Sequence, residues 1–232
     1  MSLARKMTML VLTAAAGVPM TVLAQPLGKI VVTPYVGVFA PNVELARTKH
    51  PDGNGLRASS IEQGNGLALG ATGTYWFAQR AGIELGALYT WSAMRSTYTL
   101  NKPGVSETFY ESENAGVILS AAKLMVGLFP ASSEFQLRLG FGPAVIAHLG
   151  SAYNAGVEGT ITGRTNFGAA VSLCTKVPIA SRAALRLRIE DYVYAARLGW
   201  KDGSNPAENY SFDRRFQHDF VLSTGLQIGL MR

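Results

Sequence analysis

Phe135-Gln136-Leu137-Arg138-Leu139-Gly140-Phe141-Gly142-Pro143-Ala144-Val145-Ile146-Ala147 is the stretch that decides the fold. Phe135, Leu137, Leu139, Phe141, Pro143 and Val145 share one parity, and Gln136, Arg138, Gly140, Gly142 and Ala144 share the other. Successive side chains of a strand point to opposite faces, so one face of this segment is wholly apolar and the other carries an amide, a guanidinium and small residues. Two solvents fit such a strand. A soluble sandwich would turn the apolar face to its core, whereas a barrel in a membrane would turn it to lipid and the polar face to its lumen.

The same period recurs on both sides. Lys29 to Ala40 places Ile30, Val32, Pro34, Val36 and Val38 opposite Thr33, Tyr35 and Gly37, and Pro34, lacking an N–H, predicts a bulge or a non-bonded position. Gly66 to Phe77 alternates likewise, and the next strand sets Ile83, Leu85, Ala87, Tyr89 and Trp91 against Glu84, Gly86, Leu88, Thr90 and Ser92. Ala115 to Phe129 puts Lys123 on the inner face. Asn166 to Val177 faces Phe167, Ala169, Val171 and Leu173 outward, and Leu185, Leu187 and Ile189 oppose Arg186, Arg188 and Glu190. Phe220, Leu222, Thr224, Leu226, Ile228 and Leu230 form the outer face of an eighth strand. The seventh strand would aim Asp191 at lipid, which is costly at mid-depth, so a bulge is expected near Glu190 to Tyr192.

Connection lengths carry independent information. Residues 41–65, 97–114, 149–164 and 195–217 read as long exposed loops, and 78–81, 130–134 and 178–183 as short turns, in strict alternation. An even strand count with short turns on one side and long loops on the other fits a transmembrane barrel, and a Greek-key sandwich has no reason to follow it. Backbone groups unpaired in hydrocarbon cost several kcal/mol each, so the sheet must close. The predicted fold class is all-β, an eight-stranded antiparallel up-and-down transmembrane β-barrel.

The beginning of the chain sets the compartment. Arg5 and Lys6 precede an apolar run from Met7 to Met20, and Val22-Leu23-Ala24 ends in a small residue. That is the layout of a secretory signal, with cleavage expected after Ala24 and residues 25–232 forming the barrel domain. Nowhere else do 18 apolar residues follow one another, so no helical span is expected. The lone Cys174 excludes an internal disulfide. Of 21 basic residues, 19 remain after the signal against 15 acidic ones, a charge of +4 that is too mild to argue for nucleic acid.

With Thr33-Pro34-Tyr35-Val36-Gly37, Leu139-Gly140-Phe141-Gly142-Pro143-Ala144 and the signal-plus-eight-strand pattern, the chain resembles the single-domain OmpA/OmpX-type outer-membrane β-barrels over nearly its whole mature length. The resemblance implies a Gram-negative outer-membrane location, lipid partners including lipopolysaccharide, and the outer-membrane assembly machinery. It also implies a barrel without the peptidoglycan-binding domain of two-domain relatives. The family's usual terminal aromatic is replaced here by Leu230-Met231-Arg232.

Parity assigns Glu84, Lys123, Arg138, Arg186, Arg188 and Glu190 to the lumen. An eight-stranded barrel is just wide enough for side chains to fill it, so buried charges there must pair. A salt-bridged plug is the reading this favours, and four cations against two carboxylates leave an anion-favouring narrow pore as the alternative. A lipid-modifying enzyme is the third reading. His148 could meet Ser151 or Ser92, but no flanking motif fixes a nucleophile and base, and no catalytic residue is assigned. Asp52-Gly53-Asn54-Gly55 lacks the spacing of a calcium loop and reads as a plain turn, so neither metal nor cofactor is expected. Tyr75, Phe77, Tyr89, Trp91, Phe129 and Phe135 lie near predicted strand ends on the outward parity and suit an interfacial girdle. Any ligand or partner would then meet the four external loops.

Overall fold

The computed structural model describes residues 29–41, 44–52, 55–102, 105–129, 136–153, 160–201, 210–211 and 215–231. The proposed signal, residues 1–24, lies outside them, as does Phe135. Each alternating stretch forms a strand, because β-branched and aromatic residues at every second position can all be placed on one face of a pleat. Eight strands close into a ring: β1 (Ile30–Pro41), β4 (Gly66–Trp76), β5 (Ala81–Lys102), β6 (Val105–Gly127), β7 (Gln136–Leu149), β9 (Thr165–Ala180), β10 (Ala183–Ala196) and β13 (Arg215–Met231). Every pairing is antiparallel, and β1 closes on β13 while β5 pairs with β6.

The outward parity is the exposed apolar one. Leu67, Leu69, Leu85, Phe141, Val171, Ile189 and Leu222 all stand exposed on the outer wall, whereas Glu84, Lys123, Arg186, Arg188 and Glu190 are buried inside. A protein surface in water does not carry a belt of this size without a partner.

The four long connections differ from the loops expected. β5 and β6 run on as one hairpin to the pair Lys102–Val105. Residues 46–63 form a second hairpin, β2 (Ala46–Asp52) and β3 (Gly55–Gln63), whose ladder ends with Asp52 opposite Gly55 and whose β3 pairs along the upper part of β5. A short 3₁₀ turn, Ser151–Tyr153, and a small sheet of β8 (Thr160–Thr162), β11 (Gly199–Lys201) and β12 (Tyr210–Ser211) complete the outer end. With 22 and 23 residues, β5 and β6 are about twice as long as the ~9–11 residues a membrane crossing needs. The barrel wall therefore continues as sheet well beyond one such length.

The two wall prolines behave as their missing donors require. Pro34 sits where the β1–β13 ladder is interrupted between the pairs Val32–Ile228 and Tyr35–Gly225, with no change of register across the gap. Pro143 sits at a matching interruption of β6–β7, between Ala121–Ala144 and Leu124–Phe141. Beside it the backbone of Ala122 occupies the place a Cβ on Gly142 would need, so only glycine allows the two strands to approach there.

The bulge expected near Glu190 to Tyr192 does not occur. β10 keeps an unbroken register with both β9 and β13 through Glu190, Asp191 and Tyr192. Asp191 does face outward, and Nδ1 of the outward-facing His218 on β13 lies 2.9 Å from its Oδ2. A partner on the neighbouring strand thus removes the reason for a bulge. Asp191 pairs in register with Phe220, and His218 pairs with the half-buried Val193, close to the outer end of β10.

Candidate functional site: a layered lumen

The lumen is built in layers by the inward parity of the eight strands. Nearest the short turns, Val31, Ala184 and the partly buried Trp76 form a small apolar floor. The guanidinium of Arg138 lies over the Trp76 ring, 4.2 Å from its centroid, and donates to Gln136 Oε1 at 3.3 Å.

Above it lies the charge cluster, centred on Glu84. Thr74 places a hydroxyl on Oε2 of Glu84 at 3.0 Å, and Arg186 Nη1 reaches the same oxygen at 2.5 Å. Lys123 Nζ and Arg188 Nη1 share Oε1, at 3.1 and 3.3 Å. Lys123 also bridges to Glu190, whose other oxygen lies 3.6 Å from Arg188 Nε. Arg188 further stacks over the Tyr35 ring at 4.1 Å, and Arg186 Nη2 donates to Cys174 Sγ at 3.2 Å. These are charge-assisted contacts in a water-poor interior, where an unpaired ion would be far more costly than a paired one. The side chains of Glu84 and Glu190 are 0% exposed, so the cluster fills the section it occupies.

Five of the six parity-assigned lumen charges thus meet in one network: Glu84, Lys123, Arg186, Arg188 and Glu190. Arg138 does not join it. It stands near enough to feel the charge of Arg186, but its contacts are the Trp76 ring and Gln136. Lys176, which the sequence reading passes over, is also buried on the inner face, opposite Arg186 across β9–β10.

Above the charges comes an apolar layer of Phe39, Leu88, Leu119, Ile146 and Val221 with Tyr35 and Tyr192. A polar belt follows. Tyr194 donates to Asp219 Oδ2 at 3.0 Å and contacts His148 Nε2 at 3.4 Å, while His148 Nδ1 meets the Tyr153 hydroxyl at 3.2 Å. Tyr153 in turn donates to Gln63 Oε1 at 2.9 Å, which brings the β2–β3 hairpin into the belt. Burial pushes the Tyr153 phenol above its ordinary range, so it stays a neutral donor. Arg164 ties this roof down, donating to Ile161 O at 2.8 Å and Tyr153 O at 2.6 Å. A second apolar cluster, including Leu45, Ile61, Met94, Ile161 and Leu198, caps the outer end.

His148 meets neither candidate serine. Ser92 Oγ donates to Ala115 O and accepts from Gln63 Nε2, and Ser151 lies against Asn114 O. Both imidazole nitrogens are occupied by tyrosine hydroxyls, so no nucleophile is paired with this base. Among the described residues no group of three or more His, Cys, Asp or Glu could hold a metal ion.

Of the aromatics expected at the interfaces, Tyr75, Phe77, Trp91 and Phe129 are exposed on the outer wall and Tyr89 is half-buried, in edge contact with Trp91 at 4.8 Å. Tyr89 and Trp91 are not at a strand end, because β5 continues to Lys102. They stand instead at the level where β4 begins, Trp91 pairing with Leu67. Phe167 and Phe216, exposed at 80% and 74%, are further outward aromatics near the start of β9 and β13.

The closed antiparallel ring is the architecture the chain shares with solved outer-membrane proteins. The chain is similar to the outer membrane protein OprG from Pseudomonas aeruginosa, with a TM-score of 0.64 and 15% identity over 90% of this chain and 100% of that one. It is also similar to the outer membrane protein AlkL, solved in DMPC lipid bilayers, with a TM-score of 0.58 and 11% identity over 90% of this chain and 93% of that one. The chain has the fold of an outer-membrane β-barrel. No family model matches its sequence, and no curated protein does.

Proposed function

We propose that this chain is an outer-membrane protein, exported with removal of residues 1–24, whose barrel is shut by an ion cluster and whose function lies in its sheet-built outer end. One observation carries the reading: Glu84 binds Lys123, Arg186 and Arg188 at once across a lumen only eight strands wide. A solute crossing along the axis would have to break several buried ion pairs together, and breaking even one leaves an uncompensated charge. The outer end, with its β5–β6 and β2–β3 hairpins, is the part left to meet a partner or ligand from outside. Within outer-membrane barrels the OmpA/OmpX type remains the proposed affinity, with lipopolysaccharide at the outer rim and the assembly machinery as the insertion route.

A narrow anion-favouring pore is the second reading. It is favoured by the buried Arg186 Nε and Arg188 Nη2, which have no hydrogen-bond partner and so leave the cluster short of saturation. Single-channel recording of the folded protein in a planar bilayer separates the two. The closed barrel predicts a silent membrane with protein demonstrably inserted. Discrete anion-selective openings, abolished by Lys123→Gln or Arg138→Gln, would replace it with the pore.

A further inference from the structure

The lower lumen holds more positive charge than its carboxylates neutralise. Lys123, Arg138, Lys176, Arg186 and Arg188 face inward there against Glu84 and Glu190. Lys176 stands directly opposite Arg186 across β9–β10, and Arg138 lies within electrostatic reach of both. Like charges directly opposite in a ladder repel, and the low dielectric of a narrow lumen strengthens the repulsion. Arg186 is offset by Glu84, but among the described residues Lys176 has no hydrogen bond or ion pair.

Donors without partners surround the same place. Arg186 Nε is buried and unpartnered. The side-chain amide of Gln227, nitrogen and oxygen alike, is also unpartnered, and its residue pairs with Ala184, two positions before Arg186. Arg138 is half-buried and held by its stacking on Trp76, the last residue of β4. A protein interior rarely leaves buried donors unmet unless something outside the chain meets them.

We propose that a small oxyanion, phosphate or carboxylate, binds between the charge cluster and the Trp76 floor, held by Lys176, Arg138 and the free N–H of Arg186 with the Gln227 amide as a further donor. Guanidinium and ammonium groups gathered on the adjoining strands β7, β9 and β10 match oxyanion chemistry, the first by its fork and the second as a point charge. The site needs no passage through the barrel. The ion cluster forms its upper wall, so it stands whether or not the barrel conducts.

The test uses the folded full-length mature chain in detergent, carrying Trp91→Phe and Trp200→Phe so that emission reports Trp76 beneath Arg138. Sodium phosphate and sodium acetate are titrated at constant ionic strength against sodium chloride, following emission and the thermal midpoint. A saturable response to either oxyanion, at least about tenfold weaker in Lys176→Gln, is the expected result. Which oxyanion answers identifies the class. Lys176→Gln should fold, since its ammonium has no partner to lose, and should melt higher than wild type in oxyanion-free buffer because the repulsion with Arg186 is gone. Three outcomes overturn the proposal: no saturable response, a response to chloride equal to that of both oxyanions, or a response unchanged in Lys176→Gln.

Discussion

Glu84 is the residue on which the lumen turns, because three cations and a hydroxyl share its two oxygens. Glu84→Gln keeps the shape and removes the charge, leaving Lys123, Arg186 and Arg188 with only Glu190 nearby. Loss of one member of a buried ion set costs about 3–5 kcal/mol, so urea unfolding of the variant in lipid vesicles should shift by that order, and Glu84→Gln with Lys123→Met should recover part of it. Parity made the six charges legible in the sequence, since a period of two fixes the face of every residue once one is placed. It could not show partners: Arg138 shares the inner face with Arg186 and Arg188 but ends on Trp76, a contact between β7 and β4 that no spacing encodes. Asp191 is the converse case, correctly aimed outward yet expected to force a bulge, because its partner His218 lies 27 residues away. His218→Leu should therefore destabilise the barrel more than His218→Leu combined with Asp191→Leu. Near the membrane interface the difference should be on the order of 1 kcal/mol, measurable by the same unfolding cycle.

At the scale of elements, the eight wall segments could be read and the outer hairpins could not, and the reason is solvent. Inside the membrane a strand has lipid on one side and a lumen on the other, which writes a period of two into the sequence. Thr97-Tyr98-Thr99-Leu100 and Thr108-Phe109-Tyr110 belong to β5 and β6 beyond the level where β4 begins, and there β-forming residues occur on either parity and no period survives. Their pairing is regular nonetheless, from Ser92–Ala115 to Lys102–Val105. The hairpin tip should be separable from the wall. Replacing residues 97–110 by an Asn-Gly turn should leave the barrel resistant to unfolding in cold detergent, with unchanged mobility of the unboiled form on a gel. It should also free β3, whose pairs with residues 97–101 vanish, and so expose the β2–β3 hairpin to trypsin at Arg47, Lys49 or Arg57. Loss of the folded form on the gel would mean that the extension nucleates the wall.

For the molecule as a whole, the choice between two solvents that Phe135 to Ala147 posed becomes a question about the outside of the ring. The inside is filled by charges, Phe39, Leu119, Ile146 and the tyrosine belt, so no apolar core remains for the outer face of the strands to join. That outer face must then be covered by hydrocarbon, and its aromatics should report the depth at which it stops. Trp91 is half-exposed on the wall beside Tyr89, at the level where β4 begins and β5 runs on past it. Trp76 points inward and packs on the floor, so Trp76→Phe keeps a ring beneath Arg138, and with Trp200→Phe it leaves Trp91 as the single emitter. In vesicles of brominated lipids, Trp91 should be quenched more strongly by bromines near the headgroup end of the acyl chain than by those near its terminus. Equal and strong quenching at both depths would place the outer boundary higher on the wall than Trp91. No quenching at either depth would remove lipid as the partner of the apolar face, and with it the membrane reading of every strand.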